Sequence, residues 1–184
     1  LRLRPDGNKG PMVSTFASYE RYLNESAWTW EHQALVRARF VAGDPELGLK
    51  FDTVRSQVLG HKRDRATLLQ EVVEMREKMR LHLDQDSTQD AGSQDVFLSG
   101  FDLKHGAGAI VDIEFMVQFM VLAHATDHPT LSRWTDKMRI LDEIGQLQLM
   151  AEAEIRGLQK AYLAYRAAVH YQWLGGEMTM QEQL

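Results

Sequence analysis

The apolar run at residues 110–125 constrains the fold more than any other part of this 184-residue sequence. It is shorter than the roughly 20 consecutive apolar residues that a membrane-spanning helix requires. A helix over residues 113–125 would be apolar on nearly every side, so other helices have to cover it. The sequence therefore predicts a buried central helix in a protein that does not span a membrane. Four polar residues interrupt the run: Asp112, Glu114, Gln118 and His124.

Helical periodicity also appears on both sides of this run. A serine-threonine pair at residues 14–15 can cap a first helix, a second pattern covers residues 27–40, and Asp44-Pro45 is typical of a helix start. A fourth pattern covers residues 65–83 and predicts that Leu69, Val72, Met79 and Leu83 face inward. We therefore predict an all-α fold, a helical bundle of about seven helices. The last two helices are indicated by the spacing of Trp134, Met138, Leu141 and Ile144, and of Ile155, Leu158, Tyr162, Tyr165 and Val169.

The helical bundle is predicted to occupy residues 14–174. The opening LRLRPDGNKG alternates apolar and basic residues before a turn, which is typical of the end of a β-strand. Residues 1–13 are therefore expected to end a sheet whose other strands lie upstream in a larger protein. Residues 84–95 carry no large apolar side chain and are predicted to form a loop. A small hairpin is compatible with residues 96–103, and the polar tail at 175–184 is expected to fray.

Charge and composition exclude several classes of function. The formal net charge of −5 and the pI near 5.8 argue against nonspecific binding of nucleic acid or of anionic membranes. The absence of cysteine excludes disulfide bonds and thiolate metal sites. The N-terminus shows no signal-peptide pattern, so the sequence predicts a cytoplasmic protein.

The stretch FDLKHGAGAIVDIEF, residues 101–115, holds the first group of candidate site residues. Asp112 can serve as the N-cap of the central helix, and Glu114 would lie in the favourable field of the same helix end. Because the two carboxylates point about 200° apart on a helix, they cannot chelate one ion together. Two interpretations stay open. Either the acids only serve the helix start, or one of them caps the helix while Glu114, backed by Gln118, faces a ligand or a basic partner. In the second case Lys104 and the glycine turn at 106–108 could approach a phosphate.

The segment WTWEHQALVRARF, residues 28–40, supplies a second group of candidates. It carries Glu31, Arg37 and Arg39 among tryptophans. The two arginines point about 200° apart on a helix, so at most one of them can lie near Glu31. Either the arginines extend around a tryptophan-rich core, or one of them is buried and binds a phosphate or a carboxylate.

His124 and His128 have the i,i+4 spacing of metal ligands on a helix. They lack a third fixed ligand, and histidines also suit the negative end of a helix dipole. No metal site is therefore predicted in this sequence.

Five segments taken together resemble one family, over about residues 1–174. Their order and wording resemble glutamine synthetase adenylyltransferase, also called glutamate-ammonia-ligase adenylyltransferase. The resemblance is closer to the C-terminal, adenylylating half of that enzyme than to its N-terminal, deadenylylating half. The segments are LRLRPDGNKG at 1–10, NESAWTWEHQALVRAR at 24–39, MREKMR at 75–80, FDLKHGAGAIVDIEF at 101–115 and HPTLSRWTDKMRILDEI at 128–144.

The resemblance implies part of a nucleotidyltransferase that uses ATP and Mg²⁺ to move AMP to a tyrosine of glutamine synthetase. The implied regulators are glutamine and the PII signal protein. In that family the paired metal-binding aspartates lie upstream, and the third catalytic carboxylate directly precedes the LRLRP strand. We therefore expect this fragment to contain no catalytic residue, to bind no ATP or Mg²⁺ by itself and to be inactive alone.

The same resemblance indicates residues that face the nucleotide or substrate, or that contact the upstream catalytic half. Ala109 stands where the family commonly has glycine, which weakens any role there that needs a close backbone approach or a positive φ. The residues carried over are Arg2, Arg4, Glu31, Arg37, Lys104, Asp112 and Glu114.

Two functions remain open on this basis. In the first, the helical domain supplies walls and positive groups around a metal site that the upstream half of the enzyme builds. In the alternative, the chain is a noncatalytic helical interaction module that docks glutamine synthetase or a regulatory protein. Titration separates them, because only the second predicts a measurable complex between the isolated chain and glutamine synthetase.

Overall fold

The computed structural model describes residues 13–86, 97–98 and 101–174 of the chain. These residues form seven α-helices, one 3₁₀ helix and one two-stranded hairpin, which confirms the predicted all-α bundle. The strand predicted at LRLRP and the tail at 175–184 lie outside the described residues, and the predicted domain division stays a prediction. The elements are α1 (Phe16–Glu25), α2 (Thr29–Leu35), α3 (Pro45–Leu59), α4 (Arg65–Asp86), β1 (Phe97–Leu98), β2 (Phe101–Asp102), α5 (Ile110–His124), the 3₁₀ helix (Pro129–Ser132), α6 (Lys137–Gln146) and α7 (Glu152–Trp173).

Several helices begin where a side chain satisfies the free amides of the first turn. The Thr15 hydroxyl accepts a hydrogen bond from the backbone N–H of Ser18 at 3.3 Å, at the start of α1. The Asp44 carboxylate accepts one from the backbone N–H of Glu46 at 2.8 Å, at the start of α3. Asp136 caps α6 in the same way. The predicted starts of α1 and α3 are therefore confirmed, and their cause is local.

α5 lies at the centre of the bundle and contacts α2, α4, α6 and α7. Its side chains at Val117, Val121 and Leu122 are almost entirely buried, so the predicted central helix is confirmed. Their removal from water stabilises the fold by about 25 cal/mol for each Å² of apolar surface. Among the helices of the described ranges, none is both long and apolar enough to cross a membrane.

A two-stranded hairpin precedes α5, within the residues 96–103 for which the sequence is compatible with one. β1 pairs antiparallel with β2, with Leu98 opposite Phe101. The Phe101 ring lies 6.2 Å from the ring of Tyr165 on α7, between centroids. Leu103, which follows β2, is buried in a small apolar cluster with Ala168 of the same helix. The hairpin is thereby held against α7, and the chain enters α5 from that side.

α2 is shorter than the helix predicted over residues 27–40. It ends at Leu35 and continues as a tight turn whose hydrogen bonds reach three residues back. The carbonyl oxygens of Leu35 and Val36 accept hydrogen bonds from the guanidinium of Arg55, at 3.0 and 2.7 Å. A side chain from another helix thus satisfies the C-terminal carbonyls of α2. The local sequence pattern contains no sign of this partner, and for that reason it predicts a helix that is too long.

Three further details of the sequence predictions are wrong. Trp28 is 70% exposed and therefore does not belong to a tryptophan-rich core. Leu69 was predicted to face inward but is 49% exposed, whereas the adjacent Leu68 is buried. α4 continues to Asp86, so the first residues of the predicted loop at 84–95 are helical.

Arg55 joins α3 to two other parts of the bundle. Besides the end of α2, its guanidinium donates hydrogen bonds to the backbone carbonyls of Ser132 and Trp134. Only 4% of the residue is exposed, and burial lowers the pKa of its guanidinium. Four carbonyl oxygens replace the water that the buried cation has lost, which makes this burial tolerable.

Replacing Arg55 with methionine should lower the free energy of unfolding by about 3 kcal/mol or more, because several buried carbonyls lose their donor. Urea unfolding of the 184-residue chain measures this change. Lys50→Met is the matched control, because Lys50 is an exposed cation on the same helix and its loss should cost less than about 0.5 kcal/mol. Equal losses in the two variants would contradict the role given to Arg55.

Candidate functional site

The loop at residues 103–109 carries the chain from β2 to α5. The Asp102 carboxylate accepts hydrogen bonds from the backbone N–H groups of Lys104 and His105, both at 2.8 Å. The Asp102 carbonyl accepts another from Gly106 at 3.0 Å. A Cβ added at Gly106 would lie only 2.5 Å from that carbonyl oxygen, so this close approach requires glycine. These contacts give the loop one fixed backbone path.

Gly108 and Ala109 complete this loop. Gly108 has a φ of +81°, in the region that favours glycine. Ala109 has an extended backbone, with a φ of −78°, and is fully buried as the N-cap of α5. Alanine therefore introduces no backbone strain at this position, which removes the concern raised by the departure from glycine.

Asp112 is the third residue of α5, and its prediction as the N-cap is wrong because the helix begins three residues earlier than expected. Its carboxylate still serves the helix start. Oδ2 accepts a hydrogen bond from the backbone N–H of Gly108 at 2.7 Å. Oδ1 lies 2.5 Å from Nε of Arg76, and Oδ2 lies 3.3 Å from Nη2 of Arg80. Two arginines of α4 thus converge on one carboxylate of α5.

Arg76 is the buried partner in this group, with 6% of the residue exposed. Its Nη2 also donates a hydrogen bond to the backbone carbonyl of His105 at 2.7 Å, so one guanidinium holds both the loop and the helix start. Burial alone would raise the pKa of Asp112. The hydrogen bonds from Gly108 and Arg76, with the charges of Arg76 and Arg80, lower the pKa overall. We use the name Asp112 junction for Asp112 together with Arg76, Arg80, His105 and Gly108.

Glu114 faces a different set of partners. Its Oε2 lies 3.1 Å from Nη1 of Arg37, and its Oε1 lies 2.7 Å from Nζ of Lys137. Lys137 is buried, and its Nζ lies 5.5 Å from the centroid of the Tyr162 ring, a cation–π distance. Asp112 and Glu114 therefore bind separate cations, as the angle between them on the helix predicted.

Glu31 is buried and satisfied by neutral donors. The Tyr22 hydroxyl lies 2.7 and 2.8 Å from its two carboxylate oxygens, and the backbone N–H of Trp28 donates a hydrogen bond at 2.9 Å. Burial, assisted by the charge of Glu31, raises the pKa of Tyr19 to about 12. Arg37 pairs with α5 instead of with Glu31. The carboxylate therefore stabilises the start of α2 and its contact with α1.

The other residues predicted from the sequence are placed as follows. Lys104 is exposed on the loop before α5. Arg2 and Arg4 lie outside the described residues. Gln118 accepts a hydrogen bond from the side chain of Gln33 at 3.1 Å, within the core. It therefore does not support the carboxylate one turn before it.

Of the four cations that hold the two carboxylates of α5, Arg37 was named in the sequence analysis, and Arg76, Arg80 and Lys137 were missed. Arg76 and Arg80 belong to the MREKMR segment, and their i,i+4 spacing was an available signal for one shared partner. Lys137 follows the helix cap Asp136, and nothing in its local pattern indicates burial. Its role depends on the packing of α6 against α5 and α7.

The described residues do not offer a metal site. In the described ranges, no group of three or more His, Cys, Asp or Glu side chains is placed to hold a metal ion. Burial, followed by the charge of Arg65, lowers the pKa of His124, one of the two histidines with metal-ligand spacing. Asp112 and Glu114 are both engaged by cations of the chain, so these carboxylates do not fit a Mg²⁺ site.

His32 of α2 is a titratable residue with a specific partner at each ring nitrogen. Its Nε2 lies 2.9 Å from the carbonyl oxygen of Leu23, and its Nδ1 lies 3.3 Å from Nη2 of Arg63. Because arginine can only donate, Nδ1 accepts and Nε2–H donates, so the ring is neutral. Burial lowers the pKa of His32, and the charges of Arg63 and His61 lower it further, although the Leu23 carbonyl opposes them.

A cleft of about 600 Å³ opens beside the contact between Glu114 and Arg37. Its walls come from the turn after α2, the start of α6 and one face of α7. We call it the basic cleft. Its ionised side chains are four cations and one carboxylate: Arg37, Arg39, Lys137, Arg166 and Asp136.

The chain matches two family models. The model for glutamate-ammonia ligase adenylyltransferase matches residues 1–54. The model for GlnD PII-uridylyltransferase matches residues 73–172, which include the Asp112 junction, α5, α6 and all of α7 except its last residue. Both models describe enzymes that transfer nucleotidyl groups, and together they cover most of the chain.

Curated relatives match nearly the whole chain. Each is named as a bifunctional glutamine synthetase adenylyltransferase/adenylyl-removing enzyme. The Pseudomonas putida protein is 48% identical over 96% of this chain, and the Pseudomonas aeruginosa protein is 49% identical over 92%. The Methylococcus capsulatus protein is 47% identical over 92%. The chain spans about 18% of the length of the two Pseudomonas relatives.

Residues 73–172, more than half of the chain, belong to the family that the uridylyltransferase model describes. The class is therefore a helical bundle that matches part of a nucleotidyltransferase family, with a central helix whose acids are held by cations from its neighbours. Over its whole matched length, the chain belongs to the glutamine synthetase adenylyltransferase family. The resemblance seen in the sequence motifs is thereby confirmed.

Asp112→Asn should lower the free energy of unfolding by about 2–3 kcal/mol, because buried Arg76 loses its carboxylate. Urea unfolding at neutral pH measures the change. Asp127→Asn is the matched control, because Asp127 pairs with Arg65 at 3.1 Å on the surface and its loss should cost less than about 1 kcal/mol. The junction has no structural importance if the first variant is no less stable than the second.

The stability of the chain should fall as the pH falls below about 6.5, the ordinary pKa of histidine. Because the pKa of His32 is lowered in the folded chain, the unfolded chain binds a proton there more readily. The stability that neutral His32 contributes is therefore complete above that pH and is lost below it. Urea unfolding at several pH values between about 7.5 and 5 measures the slope. His32→Gln should show a shallower decline, and superimposable profiles would contradict the assignment.

Proposed function

We propose that this chain is the helical domain of an ATP-dependent adenylyltransferase that transfers AMP to a tyrosine of glutamine synthetase and so regulates nitrogen assimilation. The observation that carries the proposal is 48% identity, over 96% of the chain, to a bifunctional glutamine synthetase adenylyltransferase/adenylyl-removing enzyme. The chain spans about 18% of that relative, so the activity is proposed for the whole protein to which the domain contributes.

Within that enzyme we assign the chain to the adenylylating half. The metal-binding carboxylates, ATP and Mg²⁺ are then placed on the catalytic part that lies upstream of this chain in the same protein, so the isolated chain is expected to transfer no AMP. Bound Mg²⁺ would neutralise charge on the phosphates of the nucleotide. We also keep the prediction that the protein is cytoplasmic.

The contribution of this chain is to hold positive side chains in fixed positions. Glu114 accepts a hydrogen bond from Arg37, whose side chain is 50% exposed. The Asp112 junction fixes the loop from which Lys104 projects. We propose that Arg37 and Lys104 face the nucleotide or glutamine synthetase, while Asp112, Glu114 and Glu31 position them. Such preorganised charge is what phosphoryl-type transfer requires from its surroundings.

Exposed apolar side chains support a contact with the catalytic half of the same protein. Val13 is 84% exposed and Val41 is 81% exposed. Val41, Leu47 and Phe16 line one groove, within the residues 1–54 that match the adenylyltransferase model. We propose that the catalytic half covers this groove. Glutamine synthetase and the PII signal protein are proposed partners of the whole enzyme.

Lys104→Ala should slow AMP transfer about tenfold, because it removes one preorganised positive charge. The measurement is AMP incorporation into glutamine synthetase by a chimera in which this chain replaces the matching part of the Pseudomonas putida enzyme. Lys62→Ala is the matched control, because it removes a lysine that is also exposed, from the connection between α3 and α4. Circular dichroism should show the same helical content in all three proteins.

Two outcomes would count against this proposal. A folded chimera without any substitution that transfers no AMP would reject the assignment to the adenylyltransferase. A rate within about twofold of the unsubstituted chimera for Lys104→Ala would reject the role of Lys104. If the isolated chain then formed a complex with glutamine synthetase, the noncatalytic docking module would be the better description.

A further inference from the structure

The basic cleft carries a surplus of positive charge on an acidic chain. Its four cations face two carboxylates, Asp136 in the lining and Glu114 beside it. Asp136 is already engaged as the N-cap of α6, where it accepts a hydrogen bond from a backbone N–H. The chain as a whole has a formal net charge of −5, so the sign of the cleft is opposite to that of the molecule. Such a local concentration of charge attracts anions.

Two of the four cations have no carboxylate partner within the described ranges. Arg37 and Lys137 share Glu114. Arg166 has its Nη2 only 3.2 Å from Nε2 of the neighbouring His170, and Arg39 belongs to none of the ion pairs formed among the described residues. These two guanidinium groups therefore keep donors for a ligand, while Glu114 holds Arg37 and Lys137 in place.

The shape of the cleft limits what it can hold. A volume of about 600 Å³ lies within the range of small-molecule sites and is small for a protein segment. Met138, Tyr162 and Leu163 give it an apolar side against which a ring or carbon chain can pack. The start of α6 adds the partial positive charge of a helix N-terminus.

We propose that the basic cleft binds a small phosphate-bearing ligand, with its phosphate oxygens held by Arg39 and Arg166. The planar fork of a guanidinium matches two phosphate oxygens at once, which a lysine cannot do. An acidic protein segment is the other partner that this charge would attract, but the concave shape and the apolar side favour a small molecule. The proposal departs from the expectation, drawn from the family resemblance, that the isolated chain binds no ATP. It rests on the side chains of the cleft alone and holds whether or not the proposed enzymatic function is correct.

Isothermal titration of the 184-residue chain tests the proposal, at low salt and without divalent cations. The probes are inorganic phosphate, pyrophosphate, AMP and adenosine. We expect saturable binding of pyrophosphate or AMP and none of adenosine. AMP binding tighter than phosphate binding by about tenfold or more would identify a nucleotide source for the ligand, and equal affinities would identify free phosphate.

A charge-matched pair of variants distinguishes the cleft from general attraction. Arg39→Gln combined with Arg166→Gln should weaken binding about tenfold or more, because both guanidinium donors are lost. Arg133→Gln combined with Arg139→Gln removes the same charge from two arginines that lie 4.7 Å from the Trp134 ring, outside the cleft lining. The second variant should bind as the unsubstituted chain does.

Several results would overturn the proposal. One is the absence of saturable binding by any phosphate-bearing probe, and another is an equal loss of affinity in the two double variants. A third is displacement of the probes by an oligoglutamate peptide that itself binds more tightly. An NMR measurement does not depend on the variants: the methyl resonance of Met138 should shift on addition of pyrophosphate, and an unchanged resonance would also reject the site.

Discussion

The contact between the Asp112 carboxylate and the buried guanidinium of Arg76 is the interaction on which the candidate site depends. The loop at 103–109 buries only a few apolar side chains, so hydrophobic packing alone does not fix its path. Instead, one carboxylate accepts hydrogen bonds from Gly108 and from α4, while the same guanidinium holds the carbonyl of His105. In surroundings of low dielectric constant, each of these bonds is stronger than in water, and each is costly to leave unmade. The position of Lys104 follows from them.

Buried cations play the same part elsewhere in the bundle. Arg55 satisfies the carbonyls at the end of α2, which lets the chain turn away after a short helix and present Arg37. Lys137 holds Glu114, which in turn holds Arg37 at the edge of the basic cleft. The two sides of α5 are thus organised alike, with a carboxylate of the central helix between cations of its neighbours. The apolar core supplies stability, and these polar contacts decide which charges remain available at the surface.

The fold could be predicted from the sequence because its causes are local. Apolar spacing and capping residues such as Asp44 act within a few residues, so the number of helices and the central position of α5 were correctly predicted. The partners of the site residues could not be predicted in this way, because Arg76 lies 36 residues from Asp112 and Arg37 lies 77 residues from Glu114. The same limit explains the error in α2, whose end depends on Arg55. Motifs identified the family, but only packing shows which acids are already neutralised.

A double-mutant cycle between Arg76 and Asp112 tests the central claim most directly. The free energy of unfolding would be measured for the unsubstituted chain, Arg76→Gln, Asp112→Asn and the combined variant. The account predicts a coupling energy of about 2 kcal/mol or more, since the buried guanidinium of Arg76 and the partly buried carboxylate of Asp112 satisfy each other. A coupling energy below about 0.5 kcal/mol would mean that the two residues act independently, and it would contradict the account.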